Sequence, residues 1–179
     1  MAELFELAKL DFREMEPHVE AFSLGELVQD VGQQLRLAAE QKRIGLHTHF
    51  PEDLPFVSAD IGLIERVLKN LIENALRYTL AGGTVTVALT RRDQAIVAQV
   101  TDTGCGISPE DFPYIFDRFF RVGANNQEQS TGAGLGLAIT KRILELHGSA
   151  IEARSILNNG TTFTFHLPAA HPSIESIGS

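Results

Sequence analysis

The stretch from Thr84 to Thr101 constrains the fold more than any other. Thr84–Thr90 and Ala95–Thr101 each alternate apolar and polar side chains, with Arg91-Arg92-Asp93 between them. A period of two puts the apolar set on one face of an extended chain, so the pair predicts an antiparallel hairpin with one buried side. A second pair, Ala150–Ser155 and Thr161–Leu167, flanks Asn158-Asn159-Gly160. Elsewhere the period becomes helical. Ser23-Leu24-Gly25-Glu26 has capping-box spacing and opens a helix to about Arg43, with Leu27, Val28, Val31, Leu35 and Ala38 inward. Asp60 suits the cap of a second helix, whose apolar positions are Ile64, Val67, Leu68, Leu71, Ile72 and Ala75. Leu135–His147 reads as a third, ended by Gly148. Ile44–Phe50 alternates like a strand, Phe56-Val57-Ser58 suits a short one, and Ser108-Pro109-Glu110-Asp111 signals a short helix. The expected class is α+β: a two-layer α/β sandwich, with a mixed, mostly antiparallel sheet carrying helices on one face, preceded by a short N-terminal helix.

That N-terminal helix, Met1 to about Glu16, carries Leu4, Leu7 and Ala8 on one side and Phe5 and Phe12 one heptad apart, and Pro17 stops it. So apolar a short helix needs a partner, and it reads as the end of a longer helical hairpin. The expected organisation is 1–20 as helix remnant and linker, 21–168 as the main domain and 169–179 as a flexible tail. Fifteen basic against 23 acidic residues give a net charge of −8, which argues against nonspecific binding to nucleic acid or to an anionic membrane. Cys105 is the single cysteine, and no apolar stretch approaches the length of a membrane span. A cytoplasmic location follows as an expectation.

Chemistry gathers in four stretches. In Asp102-Thr103-Gly104-Cys105-Gly106-Ile107 a strand exits into a carboxylate and two alternate glycines. Such an exit lets the backbone bend tightly against something flat, while the carboxylate accepts from an amino group on it. Asn70, Asn74 and Arg77 stand at i, i+4 and i+7 on the Asp60 helix and share one flank. Carboxamide oxygens are hard neutral ligands suited to Mg²⁺, a guanidinium neutralises phosphate, and the Tyr78 ring can pack on a base. Gly132-Ala133-Gly134-Leu135-Gly136-Leu137 opens into a helix, where free N–H groups and the helix dipole attract anions. Phe116-Asp117-Arg118-Phe119-Phe120-Arg121 precedes the polar run Val122–Thr131, so its phenylalanines can anchor a lid with Arg121 reaching a terminal phosphate. Gly160-Thr161 places a hydroxyl at a strand start, where turn chemistry is the simplest account.

Taken in order, Asn70–Ala75, Asp102–Ile107, Phe116–Arg121 and Gly132–Leu137 resemble the N, first glycine, F and second glycine boxes of the catalytic, ATP-binding domain of sensor histidine kinases. That domain belongs to the GHKL superfamily and has the Bergerat fold. The resemblance spans about 21–168, and Leu4–Asp11 looks like the end of the second dimerisation helix. It implies ATP and Mg²⁺ as ligands. Asp102 would take the adenine amino group, and Gly104 and Gly106 would let the backbone approach the nucleotide, with Ile107 beside them. Asn74 would coordinate Mg²⁺ next to Asn70. Arg77 stands where the family often has lysine, and Tyr78 would lie against the nucleotide. Gly132, Gly134 and Gly136 would cradle the triphosphate, with Thr131, Leu135 and Leu137 among the nucleotide-binding residues; Arg121 would approach the γ-phosphate, and Thr161 would complete the adenine site.

Two departures shape the reading. None of His18, His47, His49, His147, His166 or His171 sits in the family's phosphoacceptor motif, so autophosphorylation is not expected. Superfamily ATPases carry a water-activating glutamate four residues before the Mg²⁺ asparagine; here Asn70 holds that position and is a poor base. Glu73 faces about 100° away from Asn74 on a helix and is not promoted to that role. The sequence therefore reads as a kinase domain that offers the γ-phosphate of ATP to a histidine elsewhere, with Asn70 and Arg121 nearest the chemistry. Its partners would be the parent's dimerisation and histidine-phosphotransfer domain and, indirectly, a response regulator; the parent could be membrane-anchored, with no membrane contact here. The rivals are an ATPase of the same fold and a non-catalytic ATP-binding module.

Overall fold

A computed structural model describes residues 16–120 and 134–171. The N-terminal helix, Arg121, the Val122–Thr131 run, Gly132 and residues 172–179 lie outside the described residues. The elements are β1 (Glu20–Phe22), α1 (Leu24–Gln41), β2 (Gly45–His49), β3 (Val57–Ala59), α2 (Ile61–Tyr78), β4 (Thr84–Arg92), β5 (Ala95–Asp102), a 3₁₀ turn (Phe112–Tyr114), α3 (Gly136–Leu146), β6 (Ile151–Ser155) and β7 (Thr161–Pro168).

Local chemistry sets the helix ends. Ser23 Oγ accepts the Glu26 N–H at 3.2 Å at the start of α1, and Asp60 Oδ1 accepts the Leu63 N–H at 3.1 Å at the start of α2. Helix α3 closes with the Ser149 N–H on Leu144 O (2.8 Å) and the Gly148 N–H on Glu145 O (3.0 Å), the paired bonds of a Schellman end. The His147 ring then joins two helices. Its Nε2 accepts the Asp60 N–H at 3.0 Å, and its Nδ1 lies 2.8 Å from Ile143 O, which can only accept. Those partners fix the neutral Nδ1–H tautomer.

Five strands form one sheet in the order β2-β4-β5-β7-β6, parallel at β2–β4 and antiparallel elsewhere. Register stacks the apolar residues in rows: Val87, Val100, Phe163 and Ala153; then Leu89, Ala98, Phe165 and Ile151. This face packs under the helices, where Val28, Val31, Ile64, Leu68, Leu71, Ile72, Ile139 and Ile143 are fully buried. The opposite face is polar, with the Thr101 and Thr162 hydroxyls 3.1 Å apart. The end row is different in kind: Val85 opposes Asp102, Asp102 opposes Thr161, and Thr161 opposes Ser155. The same pleat that buries phenylalanine in the middle of the sheet thus delivers a carboxylate and hydroxyls at its end.

The helices-on-one-sheet architecture is as expected; several details differ. Strand β1 was not anticipated, because three residues with only Phe22 buried leave no alternation to read. It pairs with β3 in a separate two-stranded sheet. Arg91 and Arg92 belong to β4, opposite Ile96 and Ala95, so the turn shrinks to Asp93-Gln94 with Asp93 at φ +54°. Backbone pairing there continues past the end of the apolar alternation. The short helix signalled at Ser108 is a single 3₁₀ turn, with the Asp111 N–H on Ser108 Oγ at 3.3 Å. Ala169 and Ala170, assigned to the tail, donate to Gln94 O (2.9 Å) and Phe56 O (2.7 Å). Among the described residues no helix is long and apolar enough to cross a membrane.

Candidate functional site

A cleft opens between α2, the start of α3 and the end row of the sheet. Its lining includes Asn70, Glu73, Asn74, Arg77 and Tyr78 from α2, and Asp102, Gly106, Ile107 and Thr161 at the floor. Ile115, Phe120, Gly134, Gly136 and Leu137 complete it. Eleven residues nominated from the sequence therefore meet here: Asn70, Asn74, Arg77, Tyr78, Asp102, Gly106, Ile107, Gly134, Gly136, Leu137 and Thr161.

Asp102 dominates the floor. It is 5% exposed, and its Oδ1 accepts the Gly104 N–H at 2.8 Å and the Thr161 N–H at 3.3 Å. Oδ2 has no hydrogen bond among the described residues, which leaves one carboxylate oxygen for a donor from outside. Burial pushes the carboxyl above its ordinary value of 3.8, and the two backbone N–H bonds oppose that rise. A buried anion with an unused oxygen is costly unless a ligand completes it.

Asn70 is also buried, and its Nδ2 donates to Gly136 O at 3.2 Å and lies 3.4 Å from Thr140 Oγ1. The carbonyl acceptor fixes the amide orientation, so Asn70 ties α2 to the first turn of α3, and its Oδ1 has no bond among the described residues. One turn on, the half-buried Asn74 makes no side-chain bond among the described residues. No group of three or more His, Cys, Asp and Glu among the described residues could hold a metal ion. Amide oxygens such as that of Asn74, together with ligand phosphates and water, fit a hard cation of the Mg²⁺ type.

Three sequence readings change in detail. Gly104 does not line the cleft; a Cβ there would strike Tyr78 O, so its glycine serves backbone-to-backbone contact, and the Cys105 N–H donates to that same carbonyl at 3.2 Å. Gly106 does line it, at φ +68°, yet its close neighbour is likewise backbone, at Ile156 O. Leu135 is 1% exposed and packs in the core, outside the cleft lining. Arg121, Thr131 and Gly132 lie outside the described residues. In the phenylalanine block Phe116 packs edge-on against Phe163, 6.2 Å between centroids, while Phe120 faces the cleft. Sequence reasoning passed over Ile115 and set Glu73 aside, yet both line the wall. The flanks of a wide cleft span more of a helix than one residue row, which is why a 100° offset did not remove Glu73.

Fold and cleft together define a nucleotide-binding domain of the GHKL class. Residues 59–171 match the family described as histidine kinase-, DNA gyrase B- and HSP90-like ATPase, and the chain belongs to it. Its relatives are sensor kinases among others. It is 36% identical over 169 residues to the sensor-like histidine kinase SenX3 of Mycobacterium tuberculosis, covering 94% of this chain and 41% of that protein. It is 35% identical over 173 residues to the non-motile and phage-resistance protein of Caulobacter vibrioides, covering 94% of this chain and 20% of that protein. The chain thus spans less than half the length of either relative. Among solved structures it superposes on full-length ShkA in complex with AMPPNP with a TM-score of 0.82 and 28% identity, over 95% of this chain and 35% of that one. The nucleotide-free catalytic domain of histidine kinase ThkA matches with a TM-score of 0.73 and 28% identity, over 87% and 97% of the two chains.

Proposed function

We propose that this chain is the ATP-binding kinase domain of a two-component sensor, and that it transfers the γ-phosphate of ATP to a histidine not among its own. The observation that carries this reading is the floor carboxylate: Asp102 is buried, twice bonded at Oδ1 and, among the described residues, unbonded at Oδ2, opposite a wall bearing Asn74 and Arg77. In this reading Oδ2 accepts the adenine amino group and Tyr78 packs on the base. Arg77 balances phosphate charge, and the N–H groups at the start of α3 receive the phosphates. Asn74 would hold Mg²⁺, which supplies charge neutralisation on the triphosphate. The nucleophile is an imidazole nitrogen: its bond to the γ-phosphorus forms as the bond to the bridging oxygen breaks, and ADP leaves. Asn70 cannot activate water, so its part is to hold the α2–α3 joint and present its Oδ1. Arg121 is assigned to the γ-phosphate, the 1–20 segment to the dimerisation domain, and a response regulator to the next step. The bound AMPPNP of ShkA and the naming of SenX3 and ThkA as histidine kinases support this reading.

Glu73 supports a second reading. It lines the cleft beside Asn74 and forms no ion pair with Arg77, so it is a carboxylate available to a water. Phosphate release from the chain saturated with Mg-ATP separates the two. Tight binding with almost no release, and phosphorylation of a histidine-bearing bundle added in trans, is the result expected of the kinase. Steady release that Glu73→Gln abolishes would give the lead to an ATPase.

A further inference from the structure

Ser155 ends β6 beside Thr161 and has no part in the roles above. Its Oγ lies 2.8 Å from Thr161 Oγ1, 2.8 Å from the Ile107 nitrogen and 3.1 Å from Gly160 O. The Ile107 N–H can only donate and the Gly160 carbonyl can only accept, which leaves two hydroxyl protons to place. One placement turns all three contacts into hydrogen bonds. Ser155 donates to Gly160 O, and its oxygen accepts from both Ile107 and Thr161. Gly160 O also takes the Ile156 N–H at 3.2 Å, and a carbonyl has two lone pairs for the two donors. The reverse placement, Ser155 donating to Thr161, leaves the Gly160 contact without a proton.

The consequence falls on Thr161. Its proton is committed toward β6, so beside Asp102 in the cleft it presents lone pairs alone. Asp102 Oδ1 is already occupied by two N–H groups, and Oδ2 is an acceptor as well. Resting on the nucleotide reading above, we propose that Ser155 is a positioning residue for base selection. By taking the Thr161 proton it makes the floor an acceptor-only pair, which receives a ring amino group and repels a ring carbonyl at the same place. Adenine carries an amino group at that position; hypoxanthine carries oxygen. Through Ile107 the same hydroxyl also holds the strand exit against β6.

The test is calorimetric titration of the full chain with Mg-ATP and with Mg-inosine triphosphate. The wild type prefers ATP. In Ser155→Ala the Thr161 proton is free to face the cleft, so ATP affinity falls while inosine triphosphate holds or gains. The preference then shrinks roughly tenfold, the usual scale for one mismatched buried hydrogen bond. Ser155→Thr keeps the hydroxyl on a residue suited to a strand and restores the preference. Thr161→Val shrinks it too, and decides the matter alone if Ser155→Ala fails to fold. Equal losses for both nucleotides in Ser155→Ala, an unmoved preference in Thr161→Val, or a wild type without preference would each overturn the role of Ser155 while the nucleotide reading stands. A wild type that binds neither triphosphate overturns both.

Discussion

At the scale of single residues, Asp102 shows a group kept in spite of its cost. Its folded-state pKa is raised, so the native chain holds that proton more tightly than the unfolded one. The associated stability is present in full below the ordinary value of 3.8 and is lost as pH rises through the folded value. Asp102→Asn keeps an oxygen for the Gly104 and Thr161 N–H groups and removes the buried charge. Its thermal midpoint at pH 7 should therefore equal or exceed that of the wild type, with the gap closing as pH falls toward 3.8. Its affinity for ATP should drop by about two orders of magnitude, because a donor then faces the adenine amino group. Glycines divide the same way. Gly104→Ala should cost about 1–3 kcal/mol in denaturant unfolding, since the new methyl meets the Tyr78 carbonyl. Gly136→Ala should unfold like the wild type, its nearest neighbour being Asn70 Cγ at 3.8 Å. Any loss of nucleotide affinity in that variant reads directly as phosphate needing the space.

Elements show what a sequence can and cannot announce. Asp60 was legible as a cap because the capping chemistry is local, within three residues. Its other bonds were not: Oδ2 takes the His18 N–H at 2.8 Å and its own N–H goes to His147, 42 and 87 positions away. Asp60→Ala should lower stability by about 1 kcal/mol, and Asp60→Asn by much less, by chemical denaturation. The long, periodic helices and the two hairpins were readable because each buries one face at a regular interval. Strand β1 and the parallel β2–β4 pairing depend on partners distant in sequence, while the 3₁₀ turn, held by local bonds from Asp111 and Phe112 to Ser108, is too short to carry a period. Within the cleft, residues on one helix row were found by spacing, whereas Glu73 lines it from an adjoining row of the same helix, and Ser155 meets Thr161 only through the pairing of β6 with β7. Gly106, Gly134 and Gly136 line the cleft while Gly104 does not, and the close contacts of Gly104 and Gly106, to backbone at Tyr78 and Ile156, could not be read from the motif.

For the molecule as a whole, nucleotide binding should act as a stabiliser. A ligand held only by the native state adds about 2.7 kcal/mol at one hundred times its dissociation constant, so the melting temperature should climb with Mg-ATP. If Asn74 serves the cation, Asn74→Ala should lose most of that rise with Mg²⁺ present and little when a chelator is added to both proteins. The pairing of Asp102 with Thr161 has a kinetic corollary. The two residues are 59 positions apart, joined across the β5–β7 seam near the middle of the sheet. Closing so long a loop is entropically expensive and is repaid only when Val100, Phe163, Ala98 and Phe165 zip together above the same seam. A nascent or partly assembled chain therefore has no floor to offer. Ligand captured from a refolding mixture would mark molecules in which the β5–β7 seam has already closed, a clock set by topology rather than by affinity.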